Sequence, residues 1–288
     1  MKIKNKIFRT VKSNFNPSTQ FWAFLVLLLW IASVQHGNSQ ATLCSQFENV
    51  NFDLTVGQGT GITHTSQIGP IYTGNLFVQG DLIVDNGFTL KDNVVKIGQG
   101  VTIFAQQPNV PFVKYALVLD NSKLFACNGL WKGISLGNSA NIQTKNGTEI
   151  EDAENAISGD DTNAKLNITQ TTFNRNNIGI NLEYSGVFIG FSNNKFTCTS
   201  PLNGTTDQIG FAGIKTLGVS ITSNPINDAS YNRFDGLLYG IYVEGYNTLI
   251  NGRYFRFSNI EKDGVYLDEG RIYLDFSFFT DCGEKGIN

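Results

Sequence analysis

Histidine is almost missing from this chain: its 288 residues hold two, and only His64 lies beyond the first forty. A multi-histidine metal site is therefore excluded, and serine catalysis through a histidine base would have to use that one residue. Methionine occurs once and proline six times. Charged residues make up only 16%, which argues against a coiled coil or a long exposed helix. The main apolar run, Phe21 to Val34, has fourteen residues, short of the roughly 20 that a helix needs to cross a membrane. What is abundant is glycine (30), asparagine (32) and phenylalanine (22), within a hydrophobic fraction of 41% that permits a real core. Such a mixture suits many short strands joined by tight turns, because glycine and asparagine tolerate positive φ.

The first forty residues read as an address. Lys2, Lys4, Lys6, Arg9 and Lys12 form a basic head without an acid, followed by the apolar run and then small residues. That order is a secretory signal peptide, with cleavage expected after Ala41; an uncleaved anchor is the alternative. Lipid attachment at Cys44 is rejected because Leu43, directly before it, is too large. Without the leader's five cations the balance is 16 Lys and Arg against 24 acids, or −8. An acidic exported chain without a membrane span is a poor candidate for nucleic acid, which is bound by neutralising phosphates. Cys44, Cys127, Cys198 and Cys282 would sit where disulfides are permitted; the last two, inside repeats, read as single buried thiols.

A repeat decides the fold. Gly-Ile-x-Leu or a variant recurs at Gly133, Gly179, Gly213, Gly240, Gly264 and Gly286, with a degenerate copy at Ala156-Ile157. The span from 133 to 179 is twice 23 residues, and later steps are 34, 27, 24 and 22. Ile150, Phe173, Phe234, Phe257 and Phe279 precede their Gly or Ala by six or seven residues, while Phe196 precedes Gly213 by 17. The excess marks an insertion near Thr199 to Gln208. Each repeat offers short strands with alternate residues facing in, and none can bury its apolar face alone. Stacking at about 4.8 Å per layer pairs each strand with the next coil and piles Phe on Phe. The expectation is an all-β chain, a right-handed parallel β-helix of about nine coils over residues 73–288, with 42–72 as an N-terminal cap. Leucine-rich repeats have a similar period but need a helical return that no repeat here shows.

The stretch Ala126-Cys127-Asn128-Gly129-Leu130-Trp131-Lys132-Gly133-Ile134, with Thr148-Glu149-Ile150-Glu151-Asp152-Ala153, resembles right-handed β-helix proteins of the pectin-lyase-like superfamily. More narrowly, it resembles large exported surface proteins of Bacteroidetes. The resemblance covers most of residues 75–288 and implies a β-helix, secretion to the cell surface and the type IX route. It is weakly specific for activity, because β-helices host lyases, hydrolases, adhesins and inert stalks. The route's C-terminal sorting domain is missing and the chain stops inside a strand signature, so a fragment of a longer protein is expected.

Candidate chemistry lies on the outward ladder, the x of Gly-Ile-x-Leu: Ser135, Ser158, Asn181, Lys215, Tyr242 and Tyr266. Stacked tyrosines on adjacent coils suit the C–H faces of sugar rings, so Lys215, Tyr242 and Tyr266 are the candidate glycan site. The competing reading is a tyrosine pair that only stabilises the sheet. Glu183, Glu244 and Asp268 share a corner; Glu244 and Asp268, the only adjacent pair, are the candidate Ca²⁺ ligands, with solvated corner acids as the bland alternative. Lys215, Arg233 and Arg253 are candidate bases for a lyase. Glu149, Glu151 and Glu154 read as an outward, solubilising set, and His64 as structural. The leading expectation is a non-catalytic exported β-helix whose face serves adhesion or glycan binding. The alternatives are a polysaccharide lyase or glycoside hydrolase acting on acidic polysaccharide, or a structural spacer.

Overall fold

The computed structural model describes residues 41–108, 114–160, 163–223, 230–245 and 248–288. The leader expected over 1–41 lies, but for Ala41, outside the described residues. Three strands recur in rotation and build three stacked faces. The first sheet has ten strands, from Leu54–Val56 to Phe278–Cys282, and the second has ten, from Thr63–His64 to Lys285–Ile287. The third has six, from Ile71–Tyr72 to Val187–Ser192; a further three form a separate sheet, Ile221–Ser223, Thr248–Arg253 and Gly270–Asp275. The pairings are parallel and join each strand to its counterpart one turn later. This is a parallel β-solenoid of about nine turns, and its one described α-helix has four residues, Leu43–Gln46.

Pairing starts earlier than the sequence boundary at residue 73. Leu54, Thr63 and Ile71 already align with Leu76, Leu82 and Thr89 of the next turn. Three short strands therefore lie within the stretch assigned to a cap, separated by 3-10 turns at Gln58–Thr60 and Thr65–Gln67, and no described strand precedes Leu54. The segment before Leu54 is pinned by a Cys44–Cys127 disulfide, with Cα atoms 5.4 Å apart. Cys198 and Cys282 are free, the former buried.

Inside, one column runs the length of the first sheet: Leu54, Leu76, Val95, Leu124, Ile150, Phe173, Phe196, Phe234, Phe257 and Phe279. The five phenylalanines stack with centroids 4.6, 4.9, 4.9 and 4.7 Å apart and rings within 16° of parallel. The strand spacing itself imposes that distance, so the inner rings Phe196, Phe234 and Phe257 each bury both faces against a neighbouring ring. Ile134, Ile157, Ile180, Ile214, Ile241 and Val265 form the matching column of the second sheet.

The repeated glycine has a steric origin. A Cβ on Gly179 would lie 2.6 Å from Phe196 Cδ1; on Gly213, 2.5 Å from Phe234; on Gly240, 2.5 Å from Phe257; on Gly264, 2.6 Å from Phe279. The phenylalanine of each turn thus packs on the glycine of the turn before it. These glycines lie within strands and not at the corners. Many corners are instead taken by non-glycine residues at positive φ, among them Asn121, Asn146, Gln170, Asn193 and Tyr254.

Buried polar side chains satisfy the backbone where the chain bends. Asn93 donates to the Gly74 carbonyl, Asn194 to Ile168 and Asn176 to Ile150, all carbonyls of the turn before. The insertion after Phe196 is held down as well. Leu202 is buried, and Asn203 Nδ2 donates to the carbonyls of Ala126 and Gly129 across several turns.

Glu151 departs from the outward set read for it. Glu149 and Glu154 do sit on the surface side, paired with Lys123 at 3.2 Å and Lys132 at 2.7 Å. Glu151 is buried and accepts hydrogen bonds from the Leu43 amide and the Asn174 side chain. The N-terminal segment folds over this side chain, which alternation along a single strand could not reveal.

Candidate functional site

The outward ladder of the second sheet is continuous. Ser135 pairs with Ser158, Ser158 with Asn181, Asn181 with Lys215, Lys215 with Tyr242, and Tyr242 with Tyr266. The two tyrosines stack at 4.8 Å with their planes 10° apart. Both are half-buried. The register that stacks phenylalanines inside therefore stacks tyrosines outside, because alternate residues of one strand face opposite sides.

The tyrosines do not stand alone. Tyr239 lies 4.8 Å from Tyr242 and 5.9 Å from Tyr266, and Phe211 lies 5.3 Å from Tyr239 and 5.1 Å from Tyr242. Lys262 Nζ stands 5.6 Å from the Tyr239 ring centre, a cation–π contact. Four rings drawn from three turns thus form one aromatic platform. Phe211, Tyr239 and Lys262 escaped the sequence reading, which followed only the x position. Their signal was present: Tyr239 stands directly before Gly240, and Phe211 two residues before Gly213.

Polar groups edge the platform. Tyr242 OH donates to Glu244 Oε1 at 3.0 Å, and Lys215 Nζ lies 3.5 Å from Glu244 Oε2. Burial, then the hydrogen bond to Glu244, push the Tyr242 phenol up to about 12. Tyr242 therefore stays a protonated donor throughout the physiological range.

The acids behave as a broken column. Asp160 pairs with Glu183, Glu183 with Leu217, and Leu217 with Glu244. Leu217 interrupts the carboxylates, and Asp160 with Glu183 forms a second adjacent pair, so Glu244 and Asp268 are not alone as the sequence reading had them. Asp268 follows on the next turn and is exposed. Glu244, half of the candidate Ca²⁺ pair, is engaged by Lys215 and Tyr242. Among the described residues no three His, Cys, Asp or Glu side chains gather to hold a metal ion.

The three candidate bases are dispersed. Lys215 belongs to the second sheet, Arg233 to the first, and Arg253 to the strand Thr248–Arg253, where it pairs with Asp275 at 3.1 Å. His64 hydrogen-bonds Asp85 at 3.1 Å, and Asp85 also accepts from Thr65 and Ser66. Although burial opposes it, hydrogen bonds from Ser66, His64 and Thr65 hold the Asp85 carboxyl below its ordinary value.

The fold and this face define a parallel β-solenoid with an aromatic platform on its second sheet. Compared with protein-family models, curated proteins and solved structures, the chain matches none of them. No described helix is long and apolar enough to cross a membrane.

Proposed function

We propose that this is an exported, non-catalytic β-helix protein of the cell surface or secretions that binds glycan on its second sheet, as exported surface β-helices of Bacteroidetes would. One observation carries the binding reading: four rings on one outer face, with Tyr242 and Tyr266 parallel at 4.8 Å. Aromatic faces accept the C–H faces of sugars, while Lys215, Glu244 and Lys262 at the edge offer donors and acceptors to the hydroxyls. Supporting export are the leader pattern and the Cys44–Cys127 disulfide, a bond that persists in oxidising compartments.

A glycan array probed with the purified protein tests the reading. Binding is expected, and Tyr242→Ala with Tyr266→Ala should abolish it. Binding that survives the double substitution would remove the platform from the account. The same preparation, incubated with acidic polysaccharides with and without calcium, reads the alternative. Absorbance from new unsaturated uronides would assign a lyase, and release of reducing ends without it a hydrolase.

A further inference from the structure

A second face carries charge where the platform carries rings. On the outer side of the first sheet, Thr172, Lys195, Arg233 and Arg256 occupy one register column on successive turns. Three consecutive turns thus present cations, spanning about 10 Å at the ordinary strand spacing. Arg233 and Arg256 are exposed. None of the three has a carboxylate within ion-pair distance among the described residues, where the pairs formed are His64–Asp85, Lys123–Glu149, Lys132–Glu154, Lys145–Asp120, Arg175–Asp152, Lys215–Glu244 and Arg253–Asp275. Glu149, the nearest acid of the column, is already neutralised by Lys123. Asp235, two residues after Arg233, accepts from Ser258 and Asn259.

Two of the cations, Lys195 and Arg233, line a groove of about 580 Å³ that crosses four turns along the solenoid axis. Its walls include Asn146, Gln170, Asn193, Lys195, Tyr231 and Arg233. Asn146, Gln170 and Asn193 are positive-φ corner residues that line the groove on successive turns; the Asn146 Nδ2 already donates to Asp120 Oδ1 at 2.7 Å, which leaves Gln170 and Asn193 as the amides open to a ligand. Beyond Tyr231, the Arg256 guanidinium lies 4.9 Å from its ring centre, which extends the cationic wall to a fifth turn. Like charges on adjacent turns repel, and in an acidic protein nothing about folding requires three of them in line.

We infer that this groove binds an extended anionic polysaccharide. Lys195, Arg233 and Arg256 would take its carboxylate or sulfate groups, and the amides its hydroxyls. The amides choose between polyanions: Gln170 and Asn193 each carry a carbonyl acceptor as well as donors, which matches sugar hydroxyls, whereas a phosphodiester backbone supplies only acceptors. The site is separate from the tyrosine platform, on another sheet and with different chemistry.

Calorimetric titration of the purified protein with uronate oligosaccharides and with sulfated oligosaccharides tests it, with a neutral oligosaccharide and single-stranded DNA as comparators. The expected result is salt-sensitive binding of at least one anionic sugar. Arg233→Gln with Arg256→Gln should weaken it by about tenfold or more, since charge-assisted hydrogen bonds are lost. Circular dichroism should be unchanged; Arg256→Gln also removes cation–π contacts with Tyr231 and Phe278, so Arg233→Gln alone, which removes neither, should weaken binding with melting unchanged. The Tyr242→Ala, Tyr266→Ala protein should bind the anionic sugar unchanged, which separates this site from the platform. Equal binding of neutral and anionic sugars, retention of affinity in the double arginine variant, or tighter binding of DNA in the same groove would each overturn the inference.

Discussion

At Gly213 the repeat is decided by the absence of one carbon. Its Cα faces Phe234 of the following turn, and an added methyl would stand 2.5 Å from that ring and 2.9 Å from the Gly240 carbonyl oxygen. Neither neighbour can retreat, because Phe234 is clamped between Phe196 and Phe257. Gly213→Ala should therefore destabilise the protein by about 1–3 kcal/mol, the usual cost of overpacking a filled core. Urea unfolding measures this; an unchanged midpoint would mean that the stack has slack. The sequence displayed the glycine and the phenylalanine as two landmarks in step. It did not disclose that they touch across turns, because the contact joins Gly213 to Phe234 and not to Phe196, the phenylalanine of its own turn.

At the scale of elements, the corner between the first and second sheets holds a buried polar cluster. Arg175 pairs with Asp152, and Glu151 lies beside it, bonded to Asn174 and to the Leu43 amide. Among the described residues, Arg175 Nε finds no hydrogen-bond partner. Burial outweighs the attraction of Arg175 and, with Glu151 adding to the rise, lifts the Asp152 carboxyl to about 7; burial raises Glu151 too. A carboxyl with a raised folded value holds its proton more tightly when folded. Its penalty is absent below the unfolded value near 4 and complete above about 7. Thermal midpoints should accordingly fall as pH rises through that window, and Asp152→Asn should flatten the fall whatever it does to absolute stability. A variant with the slope of the parent protein would assign the pH dependence elsewhere. Alternation around Ile150 placed Glu151 on the solvent side, a sound rule for a bare sheet. It failed here because a segment over a hundred residues away in sequence covers that face.

Across the whole molecule, the Cys44–Cys127 bridge ties the N-terminal segment to turns laid down 83 residues later. Closing so long a loop restricts the unfolded chain, so Cys44→Ser with Cys127→Ser should cost about 2–5 kcal/mol. Urea unfolding reads the loss, and limited proteolysis should then cut within residues 41–53. Resistance at that segment would show that Glu151 and the short helix hold it unaided. The solenoid itself was legible in one dimension: a spacing near 23 residues, phenylalanine in phase with Gly-Ile-x-Leu, and an outward ladder ending in Tyr242 and Tyr266. Period and alternation repeat along the chain, and parallel stacking converts them directly into columns. Three things were not settled by that linear record, although Phe211 and Tyr239 stand close before their glycines and Lys195, Arg233 and Arg256 each directly before a phenylalanine: the bridge and its buried acid, the gathering of Phe211, Tyr239 and Lys262 around the tyrosines, and the groove beside the cations. Each depends on which residues of different turns come to share one face, and insertions such as the one after Phe196 shift that alignment in ways only the folded backbone reveals.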